Sequence, residues 1–267
     1  MKKIIYDLGS NNGDDVPYYL LKADVVVAVE ANPNLCEIIR NRFPEELISG
    51  RVIVENCVVN ADSEPREVDF HIHRFNHVLS QFPPPAASIA DQFTPVRLRS
   101  VSILDIVKAR GEPYYVKIDL EHYDVHILDT LFRAGIRPPF ISAEAQSVKT
   151  FASLVGLGRY DSFKLVDGNS ISKLYVDRMI LSEADKLKVH YSFPHHSAGP
   201  FGDDLDGEWM TADAFFRLLA FEGLGWKDIH ATSVVVADPT VVSILPYVSR
   251  RLSRKFKNSL RKVIERL

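Results

Sequence analysis

The chain has little cysteine, no long hydrophobic run and almost no net charge, and each shortage removes a class of protein. Two cysteines in 267 residues, Cys36 and Cys57, make neither a disulfide framework nor a zinc site, and their spacing is not C-x-x-C. A reduced compartment is the expected setting. No stretch approaches the ~18 apolar residues of a transmembrane helix. The opening apolar run is broken by Asp7, well short of the roughly 7–15 residues of a signal-peptide core. The simplest location is cytoplasmic. A formal charge of −3 leaves no global field to draw the molecule onto polyanions, so no specific nucleic-acid partner is expected. With 46% hydrophobic and 25% charged residues, no internal repeat and no low-complexity tract, the chain reads as a soluble folded protein.

The charge is unevenly placed. Residues 249–267 hold eight Lys/Arg and one Glu, a local +7, which leaves −10 on the rest. Leu252, Phe256, Leu260, Val263 and Leu267 recur every three or four positions there. This predicts a basic amphipathic helix over 248–267, following a domain of residues 1–247. Such a helix docks on an anionic membrane surface or an acidic protein partner, or else packs on its own fold or on a second copy in a homo-oligomer. In the membrane case the chain would be peripheral at the inner membrane face.

Along the chain, strand and helix signals alternate. Ile4 to Leu8 leads into Gly9-Ser10-Asn11-Asn12-Gly13 and a helix-compatible stretch at 14–22. A β-branched run at 25–29 ends at Glu30 and passes through Asn32-Pro33 into a periodic segment at 35–43. Further strands are predicted at 51–55, 67–73, 114–118, 140–143, 163–166 and 232–237, and helices at 102–109, 125–134 and from Thr211 to about 221. Two long irregular segments interrupt the pattern: the Pro-rich 74–97, and 190–210, rich in Pro, Gly and His, which has the make-up of a lid. The fold class is α/β, with a mainly parallel sheet.

Ligands of open α/β sheets bind beyond the carboxyl ends of the strands. Those ends read Asp7–Gly9, Glu30, Asn56, Asp119 and Glu144. A dinucleotide loop, G-x-G-x-x-G, needs a second glycine where this chain has Asn11, so a pyrophosphate and a nicotinamide-dependent oxidoreductase are disfavoured. Asp7 instead suits the ammonium of an amino-acid moiety. S-adenosylmethionine carries such a moiety and no phosphate. Glu30, 21 residues after Gly9, has the separation and chemistry to hold ribose hydroxyls.

Four segments resemble, in order, motifs of the FkbM family of S-adenosylmethionine-dependent methyltransferases. They are Asp-Leu-Gly-Ser-Asn-Asn-Gly-Asp (7–14), Val-Glu-Ala-Asn-Pro (29–33), Ser-Ile-Leu-Asp-Ile (102–106) and Val-Lys-Ile-Asp-Leu-Glu-His-Tyr-Asp (116–124). The resemblance spans roughly residues 4–145, with an echo in Gly225-Trp226-Lys227-Asp228. It implies a class I methyltransferase (Rossmann-like) fold, a seven-stranded sheet with helices on both faces, and O-methylation of a saccharide or related polar metabolite. It also implies that Asp7, Gly9 and Asn11 line the methionine part of the cofactor, that Glu30 and Asn32 hold the ribose, and that Asn56 and Cys57 lie at the adenine. The family usually has Glu-Gly where this chain has Glu121-His122, a departure that brings an imidazole towards the site.

Methyl transfer requires an aligned acceptor oxygen and a destination for its proton. Candidate catalytic residues are Asp119, His122, Glu144, His195 and His196. Alternatively a divalent cation such as Mg2+, held by Asp119 and Glu144, lowers the acceptor's pKa, or Lys117 neutralises these acids in a structural ion pair. Phe193, Phe201 and Trp209 would suit a sugar face, and Asp203 and Asp206 its hydroxyls. A contrasting reading is a catalytically silent adenosyl-binding module, working as an assembly or targeting subunit through its basic end.

Overall fold

Apolar runs without polar alternation become the middle of a sheet covered on both faces. The computed structural model describes residues 2–62 and 66–238, so the expected basic helix at 248–267 lies outside the described residues. In chain order the elements are β1 (Ile4–Leu8), α1 (Val16–Lys22), β2 (Val25–Glu30), α2 (Pro33–Arg42), α3 (Pro44–Ser49), β3 (Val52–Asn56), β4 (Val58–Asn60), β5 (Arg66–His73), β6 (Phe93–Ser102) and α4 (Ile103–Arg110). There follow β7 (Tyr115–Ile118), α5 (Asp124–Arg133), β8 (Phe140–Glu144), α6 (Val148–Gly156), β9 (Ser162–Asp167), α7 (Ile171–Leu174), β10 (Arg178–Leu181), β11 (Lys188–Tyr191), β12 (Met210–Thr211), α8 (Ala212–Glu222) and β13 (Lys227–Thr232). No helix among the described residues is long and apolar enough to cross a membrane.

The main sheet runs β12-β9-β13-β8-β7-β1-β2-β3. It corrects the expected seven-stranded sheet: there are eight strands, β13 opposes both its neighbours and β12 opposes β9, so the sheet is mixed. The strands from β8 through β3 are parallel. Strand order reverses at β1, between β2 and β7, which opens a crevice at the carboxyl ends. Alternation along β1 divides the core. Ile4, Tyr6 and Leu8 pack with residues of α4, α5, α6 and α8, and Ile5 with those of α1 and α2.

Three predicted segments are corrected. The last strand is β13, not 232–237: the Val-rich run is more eye-catching than Lys-Asp-Ile-His-Ala-Thr, yet Val234 and Val236 are exposed while Asp228 and His230 are buried. The 74–97 excursion ends early, because 93–97 belong to β6, which pairs with β5 from His73↔Phe93 to Arg66↔Ser100. Pro95 is tolerated there because β4 reaches only Ser100–Ser102, leaving the start of β6 an edge. Residues 190–191 belong to β11, and the aromatics of 190–210 face inward. Phe193, Phe201 and Trp209 are buried, Phe201 stacking on Tyr115 with ring centroids 4.0 Å apart. Their place is in the second core, so they do not present faces to a sugar.

Candidate active site

The register lays polar side chains in rows across the α1 face of the sheet. Asp7 pairs with Lys117, Lys117 with Ser142, Ser142 with His230 and His230 with Lys164. All five are buried. Two residues further along each strand, towards the carboxyl ends, the same face carries Glu30, Gly9, Asp119, Glu144 and Asp228. Lys117 from the first row and Gly9, Glu30, Asp119 and Glu144 from the second line a cavity of about 940 Å3.

Gly9 has φ +84, and a Cβ there would collide with the backbone carbonyl oxygen of Asp119. The glycine therefore lets β1 and β7 close up at the crevice. Asn11 follows at φ +50 and turns its N–H onto Glu30 Oε2 at 2.8 Å, while the Asn32 N–H donates to Oε1 at 2.7 Å. Burial raises the Glu30 carboxyl to about 7 against these two donors. Each oxygen keeps a lone pair for a ligand hydroxyl. Asn32 caps α2 through Asn34 N–H, and Asn56 Nδ2 donates to the carbonyls of Glu30 and Ala31 at 3.1 and 2.9 Å. These two residues hold the Glu30 turn and do not line the cavity.

Lys117 Nζ lies 3.5 Å from Asp7, 3.2 Å from Asp119 and 3.2 Å from the Gly9 carbonyl oxygen. Its pKa is raised because Asp119, Asp7 and Asp15 outweigh its burial. Both Asp7 oxygens are buried without a hydrogen-bond donor, as is Asn11 Oδ1. Burial raises Asp7 in spite of Lys117.

Beyond the lysine, carboxylate oxygens of Asp119, Glu121 and Glu144 lie within 4.8 Å of one another. Gln146 Nε2 bridges two of them, donating to Glu144 and, at 3.2 Å, to Glu121. Burial and then Asp119 raise Glu121 to about 7 and Glu144 to about 11. Below them Asp124 accepts the N–H groups of Leu120 and Glu144 and is raised to about 8, chiefly by burial. Asp228 is raised by the same cause to about 7.

Of the residues singled out from sequence, Gly9, Asn11, Glu30, Cys57, Asp119, His122, Glu144 and His196 line this one cavity. Asp7 lies beneath it. His195 is exposed outside it, 6.2 Å from the Trp226 ring. Sequence reasoning missed Glu121, Gln146, Trp226 and the run 76–82, all of which line the cavity. The run 76–82 comes from the β5–β6 excursion and closes the end near Cys57, Val58 and Phe70. The bridge His71↔Gln81 and the packing of Phe82 on Tyr123 bring it there, so no local pattern announces it. The second acid in Asp119-Leu120-Glu121 was a readable signal for Glu121.

Two expectations follow. Glu121 and His122 have φ +45 and +74, the region where the family's usual glycine at position 122 would be at ease. His122→Gly is expected to raise stability by about 1 kcal/mol, the left-handed penalty less the added freedom of the unfolded chain. Urea unfolding measures it, and an unchanged or lower midpoint refutes the strain. Separately, Asp15 is raised to about 6, Glu30, Glu121 and Asp228 to about 7, and Asp124 to about 8. The native state therefore holds protons that the unfolded state has released. Stability is full below the ordinary carboxylate values near 4 and is lost as pH rises through 6–8. Melting of the ligand-free protein should drop by on the order of 5 °C between pH 5.5 and 8.5. A flat profile would contradict these shifts.

The family model described as Methyltransferase FkbM domain matches residues 7–175. No curated protein matches the chain. Among solved structures, it is similar to precorrin 8W decarboxylase from Methanobacterium thermoautotrophicum, at 11% identity over 87% of this chain and 82% of that one, with TM-score 0.39. It is also similar to a precorrin-6y C5,15-methyltransferase from Geobacter metallireducens, at 14% identity over 72% and 75%, with TM-score 0.34. A third is a structure titled StiE O-MT residues 961-1257, at 10% identity over 88% and 70%, with TM-score 0.35. The fold assignment rests on the strand order and its reversal at β1.

Proposed function

The chain belongs to the FkbM methyltransferase family, and from that membership we propose that it transfers a methyl group from S-adenosylmethionine to a hydroxyl of a saccharide or related polar metabolite. The observation that carries the reading is the set of unfilled acceptors around the first loop. Asn11 Oδ1, on a residue that lines the cavity, is buried without a donor, and Asp7, beneath it and 3.5 Å from Lys117, adds negative charge; an amino-acid ammonium supplies three donors. Glu30, lining the cavity, has the spare lone pairs for ribose hydroxyls. Cys57, Val58, Phe70, Leu79 and Phe82 provide an apolar end for a base. These residues fit the cofactor, whose sulfonium supplies an already activated methyl group. At about 940 Å3 the cavity lies near the top of the ~300–1,000 Å3 usual for ligand sites, room for a cofactor and a small acceptor.

The acceptor's proton goes to the carboxylate cluster. Glu121, raised to about 7, is the member whose titration matches neutral pH, while Glu144, raised to about 11, stays protonated beside it and Asp119 is paired with Lys117. His122 and His196 line the same cavity and are alternative bases. A divalent cation would sit among the three carboxylates and lower the acceptor's pKa instead. Tritiated-methyl transfer into extracts of the source organism, with and without EDTA, tests the reading. Labelled glycan insensitive to EDTA supports a protein base, and EDTA-sensitive label supports the cation. Cofactor binding without label supports the silent module, whose basic end at 249–267 would then carry its role in targeting or assembly.

A further inference from the structure

Trp226 lines the cavity and is none of the residues assigned above to the cofactor. The Leu224-Gly225-Trp226 turn joins α8 to β13, and Gly225 has φ +135, a conformation that L side chains rarely adopt. The turn is tied down on both sides. Gly225 N–H donates to the Ala145 carbonyl at 3.1 Å, Ala145 N–H to that of Lys227 at 2.7 Å, and Gly168 N–H to that of Trp226 at 3.1 Å. One indole face is closed by backbone: a Cβ on Gly168 would stand 2.6 Å from Nε1 and 2.7 Å from Cε2. The side chain is nevertheless 44% exposed and lines the cavity, with Leu224 and His196 beside it. The chain's other tryptophan, Trp209, is buried beneath Lys164.

A large aromatic held rigidly with one face backed and the other open is a platform, because it stacks a ligand at little cost in side-chain entropy. The polar groups that line the same end are mostly acceptors. The acceptors are the carboxyl groups of Asp119, Glu121 and Glu144, and Gln146, whose Oε1 is buried without a donor; Lys117, His122 and His196 line the same cavity. This inventory calls for a ligand with an apolar C–H face and several O–H donors. Among the described residues the one Lys or Arg that lines the cavity, Lys117, is already paired with Asp7 and Asp119, which leaves no cation to hold a phosphate, sulfate or carboxylate group.

We propose that Trp226 and Gln146 form the acceptor subsite, in which an uncharged sugar ring lies on the open indole face and its hydroxyls donate to Gln146 and the carboxylates, while anionic acceptors are excluded. The inference rests on the methyltransferase reading in that the cofactor occupies the neighbouring end.

Trp226 is also the reporter. The protein is first saturated with S-adenosylhomocysteine, and tryptophan emission is then followed against a panel of neutral methyl pyranosides and their phosphorylated counterparts. At least one neutral glycoside is expected to change the emission saturably, and no phosphorylated one. By calorimetry Trp226→Ala should weaken that glycoside by about ten-fold, Trp226→Phe should retain it, and S-adenosylhomocysteine should bind all forms alike. The subsite is overturned if no neutral glycoside binds, if phosphorylated sugars bind better, or if Trp226→Ala binds as wild type does. Failure of S-adenosylhomocysteine itself to bind would instead overturn the reading beneath it.

Discussion

Lys117→Met is expected to destabilise the protein by about 3–5 kcal/mol at neutral pH, the usual result of removing one partner of a buried ion pair. Lys117 is buried, and its ammonium lies within 3.5 Å of both Asp7 and Asp119. Its field also lowers the pKa of Asp15, Glu30, Glu121 and Asp228, none of which is exposed. Methionine keeps the apolar stem and removes the charge, so those acids must take up protons or face one another unscreened. The loss should therefore be larger at pH 8 than at pH 5, where protons can replace the lysine. Urea unfolding at the two pH values checks both statements. A loss independent of pH would mean that packing, not charge, is what the lysine contributes.

Gly9→Ala is expected to reduce cofactor-dependent methyl transfer on the order of 100-fold, the scale of an ~1 Å misplacement of reacting groups. Two effects act together at this position. A positive φ of +84 costs a β-carbon about 1–2 kcal/mol. The clash with the Asp119 carbonyl must push β7 away from β1, carrying Asp119 and Lys117 with it. Gly50 separates the two, since it has φ +71 and nothing within 4 Å of an added Cβ. Gly50→Ala should show the conformational penalty alone and leave transfer intact. If the two variants lose the same activity, the crevice at β1 and β7 is not where the chemistry occurs.

The rim of the site was legible because strand ends are local. A run such as Val25 to Glu30 announces both the strand and the acid that terminates it, and the register then assembles Gly9, Glu30, Asp119 and Glu144 without further information. The resemblance to the FkbM motifs was likewise carried by contiguous residues, and the matched region of 7–175 contains them. What was not legible depended on distant pairing. The polar alternation of Lys227–Thr232 has meaning only beside β8 and β9, where Asp228 faces Glu144 in the register. The aromatics of 190–210 looked like a sugar platform, yet Phe201 stacks on Tyr115 in a core defined only when β7 and that loop meet. The exposed indole belongs to Trp226, in a segment that sequence marked only as an echo.

The central claim is that an adenosyl cofactor binds in the crevice where β1, β2 and β7 end, with Glu30 as a principal holder. Calorimetric titration of S-adenosylhomocysteine into the protein and into its Glu30→Gln variant measures this most directly. The account predicts saturable one-to-one binding to wild type and a strong loss in the variant. Absence of binding to wild type, or equal binding to both, would contradict it.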